Sequence, residues 1–216
     1  MDQATFERVI EPLLRQQYQE ALEALCAEMQ NPDREREIVP QRVSKLLTSG
    51  HAAPEHIPTL IKLERITREV GGTAYVHVEE TVFREMARLS HQDLIPFLVE
   101  AFQYRRRYDN FAVRRREYSV DIAAVIAART VAPQAIAALG EMLADPTPKI
   151  RGVALVIIYE AYEREGCDMP SALLDYFWHL GRDDPDRRVR QTALASLQRL
   201  GHVSYDEALE YLEGGS

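Results

Sequence analysis

Two stretches decide how this chain folds: Asp145-Pro-Thr-Pro-Lys-Ile-Arg-Gly-Val-Ala-Leu155 and Asp184-Pro-Asp-Arg-Arg-Val-Arg-Gln-Thr-Ala-Leu194. They superpose residue for residue as D-P-x-x-x-[IV]-R-x-x-A-L. Asp-Pro reads as a helix start, with Asp as N-cap and Pro at the first helical position, where a missing N–H removes no bond. The aliphatic anchor, with Ala four and Leu five positions on, forms one apolar face. Working outward, Val39, Val76, Val113, Ile150 and Val189 hold the equivalent anchor at spacings of 37, 37, 37 and 39. Further amphipathic stretches, starting at His56, Asp93, Pro133 and Pro170, precede the later anchors. A helix-turn-helix unit of this period cannot bury its apolar face alone, so the units must stack.

The whole chain therefore reads as helix. The pattern predicts helices over about 4–30, 34–48, 55–70, 75–89, 92–106, 111–129, 133–144, 147–165, 169–181, 186–200 and 204–213. Thr73-Ala-Tyr-Val-His-Val78 has β-branched flavour but continues with helical spacing. Gly71-Gly72, Gly166 and Gly201 read as helix C-caps. Residues 1–213 are expected to form one domain, with 214–216 a flexible or added tail.

The Asp five residues before the anchor and the Arg just after it, here Asp145/Arg151 and Asp184/Arg190, resemble the signature of the HEAT-like α-solenoid repeats. The match is good over about 130–201 and weaker over 31–130, where His77 and Pro40 replace the Arg and Asp109 sits one place from the expected Asp. The resemblance implies a right-handed α-solenoid of about five helix pairs, closed by the terminal helix as a cap. It implies fold more firmly than activity, because one scaffold serves many tasks.

Composition narrows the function classes. Of 216 residues, 46% are hydrophobic and 28% charged, ample for a packed core and too apolar for a disordered chain. The longest stretch without Asp, Glu, Lys or Arg is Thr130–Gly140, 11 residues, short of the roughly 18 that span a bilayer. No secretory signal is read at the N-terminus, and neither Cys26 nor Cys167 belongs to a CxxC pair, so the expected address is the reducing cytoplasm.

Charge is unevenly spread in this −8 chain. Residues 104–118, Tyr104-Arg-Arg-Arg-Tyr-Asp-Asn-Phe-Ala-Val-Arg-Arg-Arg-Glu-Tyr118, carry six Arg and four aromatics, while both flanks are acidic. Guanidinium forks with interleaved aromatics suit an acidic partner, which makes Arg105, Arg106, Arg107, Arg115, Arg116 and Tyr118 candidate binding residues. Arg114 falls in the signature slot and is expected to pair with a nearby Asp. The ion-paired surface turn is the competing reading. A net acidic chain argues against broad nucleic-acid affinity, which is chiefly a phosphate-charge effect.

The strict register also puts Glu117 and Asp121, and Glu80 and Arg84, at expected core positions. Re-anchoring the third unit on Val120 places Ala124 and Ala128 there instead and turns Glu117 and Asp121 toward solvent, within reach of the Arg cluster. Val153-Ala-Leu-Val-Ile-Ile-Tyr159 is apolar on every face, and Val156 and Tyr159 are expected to point into the groove, where the strip is either sealed by tight curvature or a partner's footprint. Trp178 reads as core.

Enzyme signatures are absent. No Gly-rich phosphate loop, GxSxG or HExxH occurs, and the six His are scattered, so no metal or cofactor is expected. Two enzyme classes share the HEAT-like fold. The resemblance to DNA-alkylation-repair glycosylases rests on Tyr118-Ser-Val-Asp121 and Lys149-Ile-Arg151, and by analogy Asp121 would stabilise a cationic transition state while Arg151 held phosphate. The bilin lyase-like HEAT proteins share the repeat type. The favoured expectation is a non-enzymatic scaffold that binds a protein partner bearing acidic groups, away from membranes.

Overall fold

Apolar residues recur three and four positions apart along the chain, and the computed structural model, which describes residues 11–30, 38–71, 73–104 and 111–214, turns each such run into a helix. In order these are α1 Glu11–Met29, α2 Ile38–Leu47, α3 Ile57–Val70, α4 Thr73–Leu89, α5 Ile95–Gln103, α6 Ala112–Thr130, α7 Pro133–Leu143, α8 Pro148–Glu165, α9 Ser171–Asp183, α10 Arg187–Arg199 and α11 Tyr205–Gly214. Short 3-10 turns at Pro54–His56 and Gln92–Leu94 lead into α3 and α5. Among the described residues there is no strand, and no helix is long and apolar enough to cross a membrane.

Helix starts differ from the expected Asp-Pro cap. Helix α8 begins at Pro148 with Thr147 as N-cap, and α10 at Arg187 with Asp186 as N-cap, its side chain accepting the Arg188 and Val189 N–H groups at 2.8 and 3.3 Å. Asp145 and Asp184 lie outside the helices. Each accepts the N–H two residues on, from Thr147 and Asp186, at 2.8 Å. That Asx turn uses one carboxylate oxygen locally and leaves the other acceptors for long-range bonds. Helix ends follow expectation: Gly71 and Gly166 are the C-caps of α3 and α8 at φ +66°, where a Cβ would be strained.

Contacts gather the chain into two compact units. The first comprises Met1–Leu94 with Arg105–Arg115. Here α1 packs on α2 and α3, and α4 packs on both α2 and α3. Single faces supply the core: Tyr18, Leu22, Cys26 and Met29 from α1, Val39, Val43 and Leu47 from α2, and Val78, Val82, Phe83 and Met86 from α4 are all buried. Phe111 closes over Phe83, ring centroids 6.2 Å apart.

The second unit comprises Ile95–Tyr104 with Arg116–Ser216. Helix α7 packs on α5, α8 and α9, α10 packs on α8 and α9, and α11 lies against α9 and α10. Gly181 lets α9 approach α10, since a Cβ there would stand 3.1 Å from Leu194. Ala154, Ile158, Ala193 and Leu197 are buried as the repeat register requires.

Around the third anchor the burial pattern is mixed: Glu117, Asp121 and Ala128 are all half-buried. Val113 is 55% exposed, whereas Val120 and Ala124 are buried. The second repeat slips, burying Val78, Val82 and Met86 and leaving Glu80 and Arg84 as a surface pair at 2.8 Å. Trp178 is not core: it is half-buried, edge-on to Tyr211 at 5.8 Å, with the Arg182 guanidinium over both rings.

Ala154 is 1% exposed on the best-matched repeat helix. Ala154→Asp would bury an unpaired charge, and we expect chemical denaturation to read a loss of about 3 kcal/mol or more. A variant as stable as wild type would mean that α8 does not bury this face.

Candidate functional site

The most fully built polar site lies in the second unit, at the turns that precede α8 and α10. Arg151, one helical turn into α8, places its fork on Asp184: Nε donates to Oδ2 at 2.7 Å and Nη2 to Oδ1 at 2.8 Å. Its Nη1 donates to the Asp145 carbonyl at 2.8 Å. Arg190 does the same one repeat later, Nη1 to the Asp184 carbonyl at 2.8 Å. The six-residue Asp-to-Arg spacing thus closes the turn identically in both repeats, and the side chain of Asp184 links one repeat to the next. Burial pushes the Asp184 carboxyl up, but the Arg151 fork and the Asp186 N–H outweigh it and hold the group below the usual carboxylate range. The bond to Asp184 raises Arg151 correspondingly.

A second charged group is buried in the first unit. Arg115, in the first turn of α6, is 1% exposed and meets Glu79 of α4, with Nη2 at 2.5 Å and Nε at 2.6 Å from Oε1. Its Nε also lies 3.4 Å from Glu64 of α3, and Arg68 reaches the other Glu64 oxygen at 3.5 Å. Glu64 is fully buried. Burial first, and then the nearby Glu79 carboxylate, push the Glu64 carboxyl up to about 8 against the pull of Arg68 and Arg115. With exposures from 0 to 7%, the four groups meet no solvent and tie helices together.

These findings relocate several sequence-derived candidates. Arg115, expected at an exposed rim, is buried because it supplies the countercharge to Glu79. Arg114, its neighbour, is exposed. Arg116, Glu117 and Tyr118 are half-buried; Arg105, Arg106 and Arg107 lie outside the described residues. Asp121 accepts from Arg164 of α8 at 2.9 Å instead of from the Arg-rich segment. Val156 is 39% exposed. Tyr159 is not open to a groove: it is 5% exposed, roofed by the Arg199 guanidinium at 5.6 Å. Its hydroxyl donates to Glu163 at 2.6 Å, a bond that raises the phenol above its ordinary range. Asp121 and Arg151, paired by analogy at the sequence level, have separate partners, Arg164 and Asp184.

Glu64 and Glu79 escaped the sequence reading. The available signal was spacing: Arg115 and Glu79 stand 36 residues apart, one repeat period. Among the described residues, no three His, Cys, Asp or Glu side chains gather closely enough to hold a metal ion. The chain matches no protein-family model, and no curated protein is similar enough to it to count as a relative.

The two buried sites respond to pH in opposite directions. A carboxyl depressed in the folded state contributes stability above its unfolded pKa and loses it as pH falls through the folded value. Asp184→Asn should therefore be less stable at pH 7 by about 3 kcal/mol and show a shallower acid limb below about pH 4 in urea titrations. An unchanged limb would remove Asp184 as its source. A raised carboxyl contributes stability at low pH that is lost as pH climbs from its unfolded value of about 4.3 toward the folded one. Wild type should accordingly weaken between about pH 5 and pH 8, and Glu64→Gln should stay flat over that window; parallel profiles would show that Glu64 is ionised throughout.

Proposed function

We propose that this chain is a HEAT-like helical-repeat scaffold, a right-handed α-solenoid of about five helix pairs sealed by α11, that binds a protein partner and catalyses no reaction. The observation that carries this reading is where the charged side chains go. Arg151 and Asp184, the pair that most resembles catalytic machinery, are nine-tenths buried and bonded to each other and to the Asp145 backbone. Asp121, the acid a glycosylase-like mechanism needs, carries Arg164. A catalytic carboxylate needs its lone pairs for substrate, and those of Asp184 are engaged in architecture. The near-37-residue period and the repeated Asp-to-Arg turn support the solenoid.

What is left on the surface suits recognition. Val156 stands open on α8, and the sequence over 104–118 carries six Arg in an otherwise acidic chain, of which Arg114 is exposed and Arg115 buried. Cys26 and Cys167 are both free thiols, as expected of a protein working in the reducing cytoplasm.

The test is affinity capture from host lysate, with and without nuclease. It compares wild type with a variant in which Arg105, Arg106, Arg107 and Arg116 are changed to Glu and the buried Arg115 is kept. We expect a protein partner that survives nuclease and is lost from the variant, while the melting temperature moves by no more than a few degrees. Capture that disappears with nuclease, or release of damaged bases from alkylated duplex DNA by the purified chain, would overturn the scaffold reading.

A further inference from the structure

The loop between α2 and the Pro54–His56 turn is fixed from both sides by side chains. His56, 1% exposed, accepts the Ala53 N–H on Nδ1 at 2.8 Å, so its proton sits on Nε2, which donates to the Arg15 carbonyl of α1 at 3.1 Å. From α4, Arg88 donates Nη2 to the Ala52 carbonyl and Nε to Glu85, the latter at 3.0 Å. Gly50 bends the loop at φ +76°, a conformation that only glycine adopts without strain. The backbone polar groups at Ala52 and Ala53 are thus consumed by the scaffold, and the loop is held in place before any ligand arrives.

Between these ties lies a cleft of about 490 Å³, within the range of small-molecule sites. Its walls are apolar, with Leu14, Ala52, Ala53, Pro54 and Leu89 on the lining. Among the described residues its ionisable lining side chains are Arg15, His51 and Arg88, all basic, and none is acidic. In a chain of net charge −8 that is a local reversal of sign. Glu55 and Glu85, which meet Arg15 at 3.4 Å and Arg88 at 3.0 Å, are not among the lining residues. The bonds recorded for Arg88 use Nε and Nη2, so Nη1 carries none among the described residues. Arg15 meets Glu55 at 3.4 Å between side chains 43% and 52% exposed, and exposed pairs of this kind are weak.

From this juxtaposition we propose that the cleft binds a small organic anion, a carboxylate or a phosphate ester on an apolar body, with Arg88 and Arg15 holding the charged head and the Leu14, Pro54 and Leu89 side chains holding the body. The site lies wholly within the first unit, involves none of the residues assigned to partner binding, and stands or falls apart from the scaffold reading.

The experiment titrates the full chain at low salt with 1-anilinonaphthalene-8-sulfonate, an aromatic anion, and follows its fluorescence. Benzoate and phenyl phosphate then compete in separate arms, which distinguishes a carboxylate head from a phosphate one. We expect saturable one-to-one binding, displaced by at least one competitor, weakened about tenfold in Arg88→Gln through loss of a charge-assisted bond, and weakened severalfold in Arg15→Gln. Arg88 also holds the Ala52 carbonyl, so His51→Gln, which removes an exposed lining base, provides a second variant expected to weaken binding. Arg199→Gln, in the second unit and not on the lining, is expected to leave it unchanged. Equal binding of uncharged N-phenyl-1-naphthylamine, binding that none of the three lining variants alters, or absence of saturable binding would each overturn the proposal.

Discussion

One guanidinium organises the second unit. Arg151 donates three bonds from a side chain that scarcely meets solvent, two to the Asp184 carboxylate and one to the Asp145 carbonyl. Burying an ion pair costs several kcal/mol per charge and is offset only when the geometry is good and the remaining donors and acceptors are used. Asp184 meets that condition. Its Oδ1 takes the Asp186 N–H as well as Arg151, its Oδ2 takes the other tine of the fork, and its carbonyl takes Arg190. The turn before α10 is therefore built from the outset to receive an arginine from α8, and removing either partner strands a charge in the interior.

The first unit ties its helices with the same chemistry less completely satisfied. Glutamates replace aspartates, and because the longer side chain starts within a helix it has no neighbouring backbone N–H to accept. Glu79 takes the close contacts of Arg115, and Glu64 lies 3.4 and 3.5 Å from Arg115 and Arg68, close to the Glu79 carboxyl. The aspartate in its Asx turn is lowered by the Arg151 fork and then by a backbone N–H, whereas the helical glutamate is raised by desolvation. The two units thus place similar residue types under opposite electrostatic control.

Outside those cores the charged pairs are of another kind. Arg129 with Glu165 and Arg164 with Asp121 link α6 to α8 through solvent-exposed arginines. Such pairs contribute on the order of 0–1 kcal/mol each and can be exchanged for contacts with a ligand. This division, committed charges inside and exchangeable ones outside, suits a protein whose helices present a surface. The same logic applies on a smaller scale at the Ala52–Ala53 loop, where side chains satisfy the backbone and leave basic groups at the cleft.

Local periodicity was enough to establish that this chain is all helix, roughly where each helix runs, where Gly71 and Gly166 stop two of them, and that Ala154, Ile158, Ala193 and Leu197 face inward. Each of those properties depends on residues within a turn or two of each other, and the three-to-four-residue spacing of apolar side chains records them directly. The burial of Val120 and Ala124 was also visible, because a charged residue at a core position signals that the register has moved. The partner of each charged residue could not be read that way. Arg114, Arg115 and Arg116 are indistinguishable as neighbours in a chain; only packing against α3 and α4 turns the middle one inward. In the same way the Asp-Pro step announced a helix start, but the spare acceptors of the Asp went to an arginine 33 residues away. Pairings of that range are settled by which helices touch, and that is a property of the assembled core, not of any one segment.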